Sequence, residues 1–376
     1  MTKDLDTRGK TLDHLAAAAG RFKPRGKVVD IRDYGHGNVH GTFLVTLDSE
    51  SEKHFILQRI NTQVFHRPEL VMLNMRTCTE HVHKRLQRAP LSEGRCWQTP
   101  YVLLSRDGLD HWIDPGGSFW RAISFIEGSQ SFDIIQDIEH GREVGTALGM
   151  FQSLISDLPA ERLADTLEGF HVTPRYLRHY DEVLARKGAV KSPEVNYLLR
   201  FVSERRGWAP ILEEARAQGR LSLRPIHGDP KVNNVMIDTA TRRAISMVDL
   251  DTVKPGLVHY DIGDCLRSGC NPLGEETMRW ETVRFEPDLC RAVLQGYLLL
   301  ARDFLTENDY EYLYEAIRLI AFELGLRFFT DYLEGNVYFK ARHGEHNLAR
   351  ALVQFKLTES IEFQRATIDA IIRDMR

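Results

Sequence analysis

The segment Ile226-His227-Gly228-Asp229-Pro230-Lys231-Val232-Asn233-Asn234-Val235-Met236-Ile237, followed by Val248-Asp249-Leu250-Asp251, constrains the fold of this chain more than any other part. Val235-Met236-Ile237 is a short apolar run, residues 238–243 read as a turn, and Ala244-Ile245-Ser246-Met247-Val248 alternates like a returning strand. A hairpin of this kind carries Asn234 at its entrance and Asp249 at its exit, so two polar side chains distant in sequence meet at one end of a strand pair. Upstream, Pro230 disfavours helix at Asp229 and lets the loop extend outward from a strand ending near Ile226.

The spacing of these residues is that of metal-dependent phosphoryl transfer. In an H-x-D-x-x-x-x-N arrangement an aspartate holds the acceptor hydroxyl, and an asparagine and a more distant aspartate hold magnesium. Asp229, Asn234 and Asp249 fill these positions, with His227 expected to brace the loop. A transferring phosphoryl group offers little covalent work to a protein, so catalysis rests on positioning and charge stabilisation. Magnesium commonly takes only one or two oxygen ligands from protein, phosphates and water completing its shell, so one Asn and one Asp suffice.

These residues resemble the aminoglycoside phosphotransferase and choline kinase group, which shares the protein-kinase-like fold. Leu250-Asp251-Thr252-Val253-Lys254-Pro255-Gly256, Tyr260-Asp261-Ile262-Gly263-Asp264 and the stretch from Arg327 through Asp331, Tyr332, Gly335 and Tyr338 to Phe339 are closer still to the N-acetylhexosamine 1-kinases. Those enzymes phosphorylate the anomeric hydroxyl of N-acetylglucosamine or N-acetylgalactosamine with ATP. The resemblance runs from about Tyr34 to about Phe355 and implies ATP as co-substrate with Mg2+. It implies that Lys231 reaches the transferring phosphate and that backbone groups at residues 124–127, Ser124 and Ile126 among them, bond the adenine edge. It also exposes a departure. Where such kinases often carry a lysine to pair with nucleotide phosphates, this chain has Gln58. Either Gln58 is a neutral donor to the phosphates, or Arg59 turns inward through a bulge.

The expected fold class is α+β, a two-lobed protein-kinase-like architecture with a small β-rich N-lobe (1–126) and a larger, mostly helical C-lobe (127–376). Strand signals dominate first, at 41–47, 55–57, 102–104 and 120–126, with one helical pattern at 69–86 between the second and third. From about residue 139 the pattern is mostly helical, with windows at 193–204, 289–305 and 309–333; Ser192-Pro193 reads as a cap followed by a first-turn proline. The join falls at 125–129 and is the expected hinge. Ahead of the first strong strand, Tyr34-Gly35-His36-Gly37-Asn38-Val39-His40-Gly41 reads as a loop whose amides lie over phosphates, with Gly35, Gly37 and Asn38 at the nucleotide and His36 reaching toward the acceptor. An ordinary glycine-rich hairpin turn is the alternative.

On the acceptor side, Glu323, Arg327 and Asp331 recur every four residues and share one helix face, with Tyr338 just beyond the Gly335 stop. An exposed salt-bridge ladder would show the same spacing; the family resemblance favours a pocket wall in which Arg327, Asp331 and Tyr338 meet the sugar alongside Asp229. Asp251 either adds a metal or sugar contact or makes an Asx-turn, and Asp261 and Asp264 read as structural hydrogen-bonding residues.

Composition sets outer bounds. The 376 residues suffice for two ordinary cores, and a net charge of −4 gives no basic excess, which makes nucleic acid a poor partner. Five cysteines, an odd number without a C-x-x-C pair, in a chain with no secretory pattern, point to reduced thiols and a cytoplasmic location. No apolar run approaches the ~20 residues that span a bilayer. The expected partners are therefore ATP and a small molecule. Competing readings are a kinase for another alcohol (aminoglycoside, choline, homoserine or amino sugar), a nucleotide-binding pseudokinase, and a metallophosphohydrolase. The intact Asp229, Asn234 and Asp249 weigh against the pseudokinase.

Overall fold

Strands fill the first third of the chain and helices most of the rest. The computed structural model describes residues 13–22, 26–35, 39–49, 52–89, 91, 94–188 and 192–376. Beyond a helical segment at 13–19 come β1 (Val28–Asp33), β2 (Gly41–Leu47), β3 (His54–Arg59), α1 (Pro68–Arg88), β4 (Val102–Leu103), β5 (Trp112–Ile113) and β6 (Phe119–Ser124). The strands form one antiparallel sheet in the order β1-β2-β3-β6-β4, with β5 also on β6. The sequence pattern anticipated β2, β3, β4, β6 and α1. It missed β1, an edge strand whose charges interrupt the alternation and whose Val29 is exposed.

The remainder comprises β7 (Ser129–Gln130), α2 (Ile138–Ile155), α3 (Thr173–Lys187), α4 (Pro193–Arg205), α5 (Ile211–Ala217), β8 (Arg224–Ile226), β9 (Val235–Asp238), β10 (Ala244–Met247) and β11 (Lys254–Gly256). It ends with α6 (Val258–Gly269), α7 (Pro287–Ala301), α8 (Glu307–Glu311), α9 (Leu313–Glu334), α10 (His346–Phe363) and α11 (Arg365–Met375). The fold is thus α+β and protein-kinase-like, a sheet region followed by a larger helical part. Ser192 caps α4 as expected, its hydroxyl accepting from the Val195 N–H at 3.2 Å. The single helix expected over 309–333 is two, because Thr306 and Asp309 form a capping box that starts α8, and α9 begins anew after Tyr312. α9 stops at Gly335, whose φ of +100° is the left-handed conformation glycine favours.

The helical core is tight. α2 lies so close to α7 that a Cβ on Gly296 would stand 1.9 Å from the Arg142 carbonyl oxygen, and one on Gly145 1.9 Å from that of Val293. Gly296→Ala must therefore separate two helices, and a loss of about 1–3 kcal/mol or more is expected. Urea unfolding measures it directly, and an unchanged midpoint would contradict this packing.

At the front of this core the hairpin folds as the sequence indicates. Val235 pairs with Met247, and the Val248 N–H donates to the Asn234 carbonyl at 2.9 Å, so Asn234 and Asp249 leave the strand pair at the same end. Among the described residues no helix is long and apolar enough to cross a membrane, and all five cysteines are free.

Candidate active site

The loop from His227 to Asn234 is held by its backbone. Gly228 has φ +87°, and a Cβ there would lie 2.6 Å from the Thr252 carbonyl oxygen, so only glycine fits. The buried Asp261 carboxylate at the start of α6 accepts from the His227 and Gly228 N–H groups at 2.9 and 2.8 Å and from Gln152 Nε2 at 2.9 Å. That is the structural role the sequence suggested. His227 Nδ1 accepts from the Asp229 N–H at 3.3 Å, so Nε2 carries the proton donated to the Val248 carbonyl at 3.0 Å. One imidazole thereby joins the loop to the strand that delivers Asp249.

A second histidine grips the loop from behind. His171 Nε2 meets the Gly228 carbonyl oxygen at 2.7 Å and its Nδ1 meets Glu323 at 2.9 Å; Thr173 Oγ1 donates to the other Glu323 oxygen at 2.7 Å. Both ring nitrogens face acceptors, which favours imidazolium. Burial pulls the His171 pKa down, but the Glu323 carboxylate outweighs it and holds the value above the ordinary 6.5. The raised pKa adds stability that is fully present below the unfolded value and is lost as pH rises through the folded one. His171→Asn, which tolerates the left-handed φ of 64° found there, should therefore cost most at low pH and progressively less above about pH 6.5. Unfolding midpoints of both proteins across pH test this, and a pH-independent gap would refute the charged pair. Nothing in the sequence signals His171, because its partner Gly228 lies 57 residues away.

The charged groups gather in front of this scaffold. Lys231 Nζ donates to Asp229 Oδ2 at 2.6 Å, and Asn234 Nδ2 donates to the Asp229 carbonyl at 2.7 Å. Burial pushes the Asp229 carboxyl up, yet the Lys231 ammonium more than offsets it and keeps the pKa below the ordinary carboxylate value. Asp229 is thus an anion poised beside a movable cation. Since Asn234 spends its nitrogen on Asp229, its carbonyl oxygen is the end left for a ligand. Asp249 adopts φ 64° and ψ 55°, a left-handed conformation rare outside glycine and characteristic of functional turns. One amide oxygen and one carboxylate leaving a common hairpin end form a hard donor set that fits Mg2+.

Behind them the sheet answers the Arg59 alternative and gives Gln58 partners of its own. Arg59 stays exposed, and the β2–β3 register runs without a bulge. Gln58 does face inward, but its amide is committed: Nε2 donates to Thr42 Oγ1 at 3.1 Å, and Oε1 accepts from Arg121 Nε and Nη2 at 2.9 and 2.7 Å. Arg121 in turn pairs with Asp251, which also meets His40 Nε2 at 2.6 Å. Asp251 is therefore neither an open ligand nor an Asx-turn residue.

At the nucleotide end, Gly35 has φ +72°, whereas His36, Gly37 and Asn38 lie outside the described residues. The loop base closes with the Tyr34 N–H on the Thr42 carbonyl at 3.0 Å, and the Tyr34 ring sits 5.7 Å from that of Phe125. Ser124 exchanges two bonds with the Tyr101 backbone, through its own N–H at 2.9 Å and its hydroxyl at 3.0 Å. Ile126 packs with the buried Met236 and Ile245 in an apolar cluster next to Val248. Its carbonyl accepts from the Ser129 hydroxyl at 2.7 Å.

The face of Glu323, Arg327 and Asp331 is not a salt-bridge ladder. Glu323 is buried on His171. The Arg327 guanidinium lies 5.1, 5.0, 6.0 and 5.4 Å from the ring centres of Phe170, Tyr176, Tyr338 and Phe339. Among the described residues it makes no salt bridge, and although burial opposes its charge, Tyr176, Tyr338, Glu323 and Asp229 together hold its pKa above the ordinary arginine value. The buried Asp331 carboxylate accepts from the Val337, Tyr338 and Phe339 N–H groups at 2.8, 2.8 and 3.0 Å and from Asn347 at 2.9 Å. Asp331 shapes the turn that sets two of the rings around Arg327.

Residues 30–298 match the family described as the phosphotransferase enzyme family. Among solved structures, the chain is similar to a microcompartment-associated aminopropanol kinase at 16% identity, covering 95% of this chain and 98% of that one with a TM-score of 0.55. An aminoglycoside phosphotransferase from Alicyclobacillus acidocaldarius is 13% identical, with 96% and 94% covered and a TM-score of 0.57. A choline kinase from Cryptosporidium parvum is 14% identical, with 91% of each chain covered and a TM-score of 0.55. At these identities the likeness is one of fold.

Proposed function

We propose, from the premise that the chain belongs to the phosphotransferase enzyme family, that this small-molecule kinase transfers the γ-phosphate of ATP to the anomeric hydroxyl of N-acetylglucosamine or N-acetylgalactosamine. The observation that carries the choice of acceptor is the caged Arg327. Its guanidinium stands among aromatic rings, with Glu323 and Asp229 among the groups that help hold its charge. A fixed cation there repels choline, ethanolamine or an aminoglycoside. With an effective dielectric near 20, a like charge about 5 Å away costs about 3 kcal/mol, on the order of a hundredfold in affinity. An N-acetyl sugar carries no charge, offers a carbonyl to the guanidinium and presents a C–H face to the exposed Tyr338 ring.

In this reading Asp229 orients the anomeric hydroxyl and accepts its proton as the oxygen attacks phosphorus. Lys231 leaves Asp229 for the transferring phosphate, which frees the carboxylate for that proton. Asn234 and Asp249 hold Mg2+, which when bound neutralises charge on the phosphates. Gly35, Gly37 and Asn38 serve the phosphates, and the backbone at Ser124 and Ile126 serves the adenine edge. Gln58 acts through Arg121 rather than on the nucleotide. Arg327, Tyr338 and His36 contact the sugar, with Asp331 holding Tyr338 in place. The regions 1–126 and 127–376 close around 125–129 to exclude water.

Paired acceptors test the charge argument. Wild type should turn over N-acetylglucosamine at least about tenfold better than glucosamine, and Arg327→Met should shrink that ratio by lowering kcat/KM for the acetylated sugar. Equal use of the cationic sugar, or an unaltered ratio in the variant, would remove Arg327 from the acceptor site.

A further inference from the structure

Strand β3 holds no lysine, yet a buried cation stands one strand away. Thr42, Gln58 and Arg121 are direct cross-strand neighbours on β2, β3 and β6, a single rung of the sheet. The Arg121 guanidinium gives Nε and Nη2 to Gln58 and Nη2 to Asp251 Oδ2 at 2.7 Å, and its Nη1 faces the other Asp251 oxygen in the same ion pair. Its side chain is 1% exposed and that of Asp251 2%. His40 completes the cluster. Its Nδ1 accepts from the Asn61 N–H at 3.0 Å, which leaves Nε2–H to donate to Asp251. The pair spans 130 residues and ties the sheet to the short turn Leu250–Thr252 directly after Asp249. The same turn is fastened to the His227–Asn234 loop through Thr252 Oγ1, which donates to the His227 carbonyl at 2.8 Å.

We propose that Arg121 is a positioning residue, and that its two-point ion pair with Asp251 fixes the left-handed Asp249 against the sheet so that Asp249 and Asn234 face the same metal. A guanidinium edge that faces both carboxylate oxygens sets an angle as well as a distance, which a lysine could not do. A non-glycine left-handed residue persists only where its surroundings over-determine it, and the Asp251 anchor constrains Asp249 from one side while the bonds on Val248 hold it from the other. Without Arg121 the Asp251 carboxylate is buried and uncompensated, so the turn must move to bring it to water. Arg121 spends Nε and Nη2 on Gln58 and Asp251 and its side chain is 1% exposed, so it acts through the turn rather than by touching phosphate.

This inference rests on the nucleotide site proposed above but not on the acceptor. Mg·ADP binding by calorimetry across a magnesium titration, together with thermal unfolding, tests it on wild type, Arg121→Gln and the double variant Arg121→Gln/Asp251→Asn. Arg121→Gln should unfold at lower temperature and bind Mg·ADP about ten- to a hundredfold more weakly at limiting magnesium. The double variant, which leaves no unpaired charge, should recover thermal stability without recovering that affinity. A double variant that regains both, or an Arg121→Gln protein with wild-type affinity at limiting magnesium, would reduce the pair to a structural brace and overturn the proposal. Failure of wild type to bind Mg·ADP at all would remove the nucleotide site first and the latch with it.

Discussion

Asp229→Asn should lower kcat by about 10³-fold, within the 10²–10⁴ range of a positioned proton acceptor, while KM for ATP changes little. The substitution is nearly isosteric, and the loop conformation does not depend on the carboxylate. Its backbone is held by Asp261 on the His227 and Gly228 amides, by His171 on the Gly228 carbonyl, and by Asn234 on the Asp229 carbonyl. What the variant loses is the anion that the Lys231 ammonium maintains. Steady-state ADP release with saturating acceptor measures the loss, and thermal unfolding should be close to unchanged. A variant that keeps more than about a tenth of wild-type turnover would contradict the role of Asp229.

Asp249→Asn should raise the magnesium needed for half-maximal activity by about a hundredfold, the upper end of what even indirect partners of a metal achieve. Asparagine is the informative replacement. Asp249 sits at φ 64°, where asparagine is tolerated and alanine is strained, so Asp249→Ala would mix a backbone cost with the loss of a ligand. Asparagine retains an oxygen but not the charge, and magnesium discriminates strongly between the two. The readout is initial rate against free Mg2+ at fixed ATP. An unshifted magnesium curve with lowered kcat would move Asp249 away from the metal and into general electrostatics.

Legibility of this chain follows sequence distance. The hairpin, its polar ends and the alternating strands β2, β3 and β6 were readable because period-2 patterning and turn residues are local signals. The Ser192 cap and the Gly335 stop were readable for the same reason. β1 was not, since an exposed edge strand has no buried face to impose alternation. Two of the residues that hold the site together were silent because each acts across the fold, His171 on Gly228 and Arg121 on Asp251, while Asp261 was readable as a structural residue but its partners His227 and Gly228 were not. The spacing of Glu323, Arg327 and Asp331 announced a shared helix face, but the three do separate jobs there: one braces a histidine, one sits in an aromatic cage, and one anchors a turn. Periodicity reports which way a side chain points, not what meets it. Gln58 was visible as a departure in the sequence, whereas the cation it bonds lay on a strand 63 residues away.

The most direct measurement is phosphorus NMR of the product formed from ATP, Mg2+ and N-acetylglucosamine or N-acetylgalactosamine, read against parallel reactions with glucosamine, choline and an aminoglycoside. The account predicts acetylhexosamine-dependent turnover with the phosphate coupled to the anomeric proton, and little product from the cationic acceptors. A phosphate on any other hydroxyl, or turnover confined to a cationic acceptor, would contradict it.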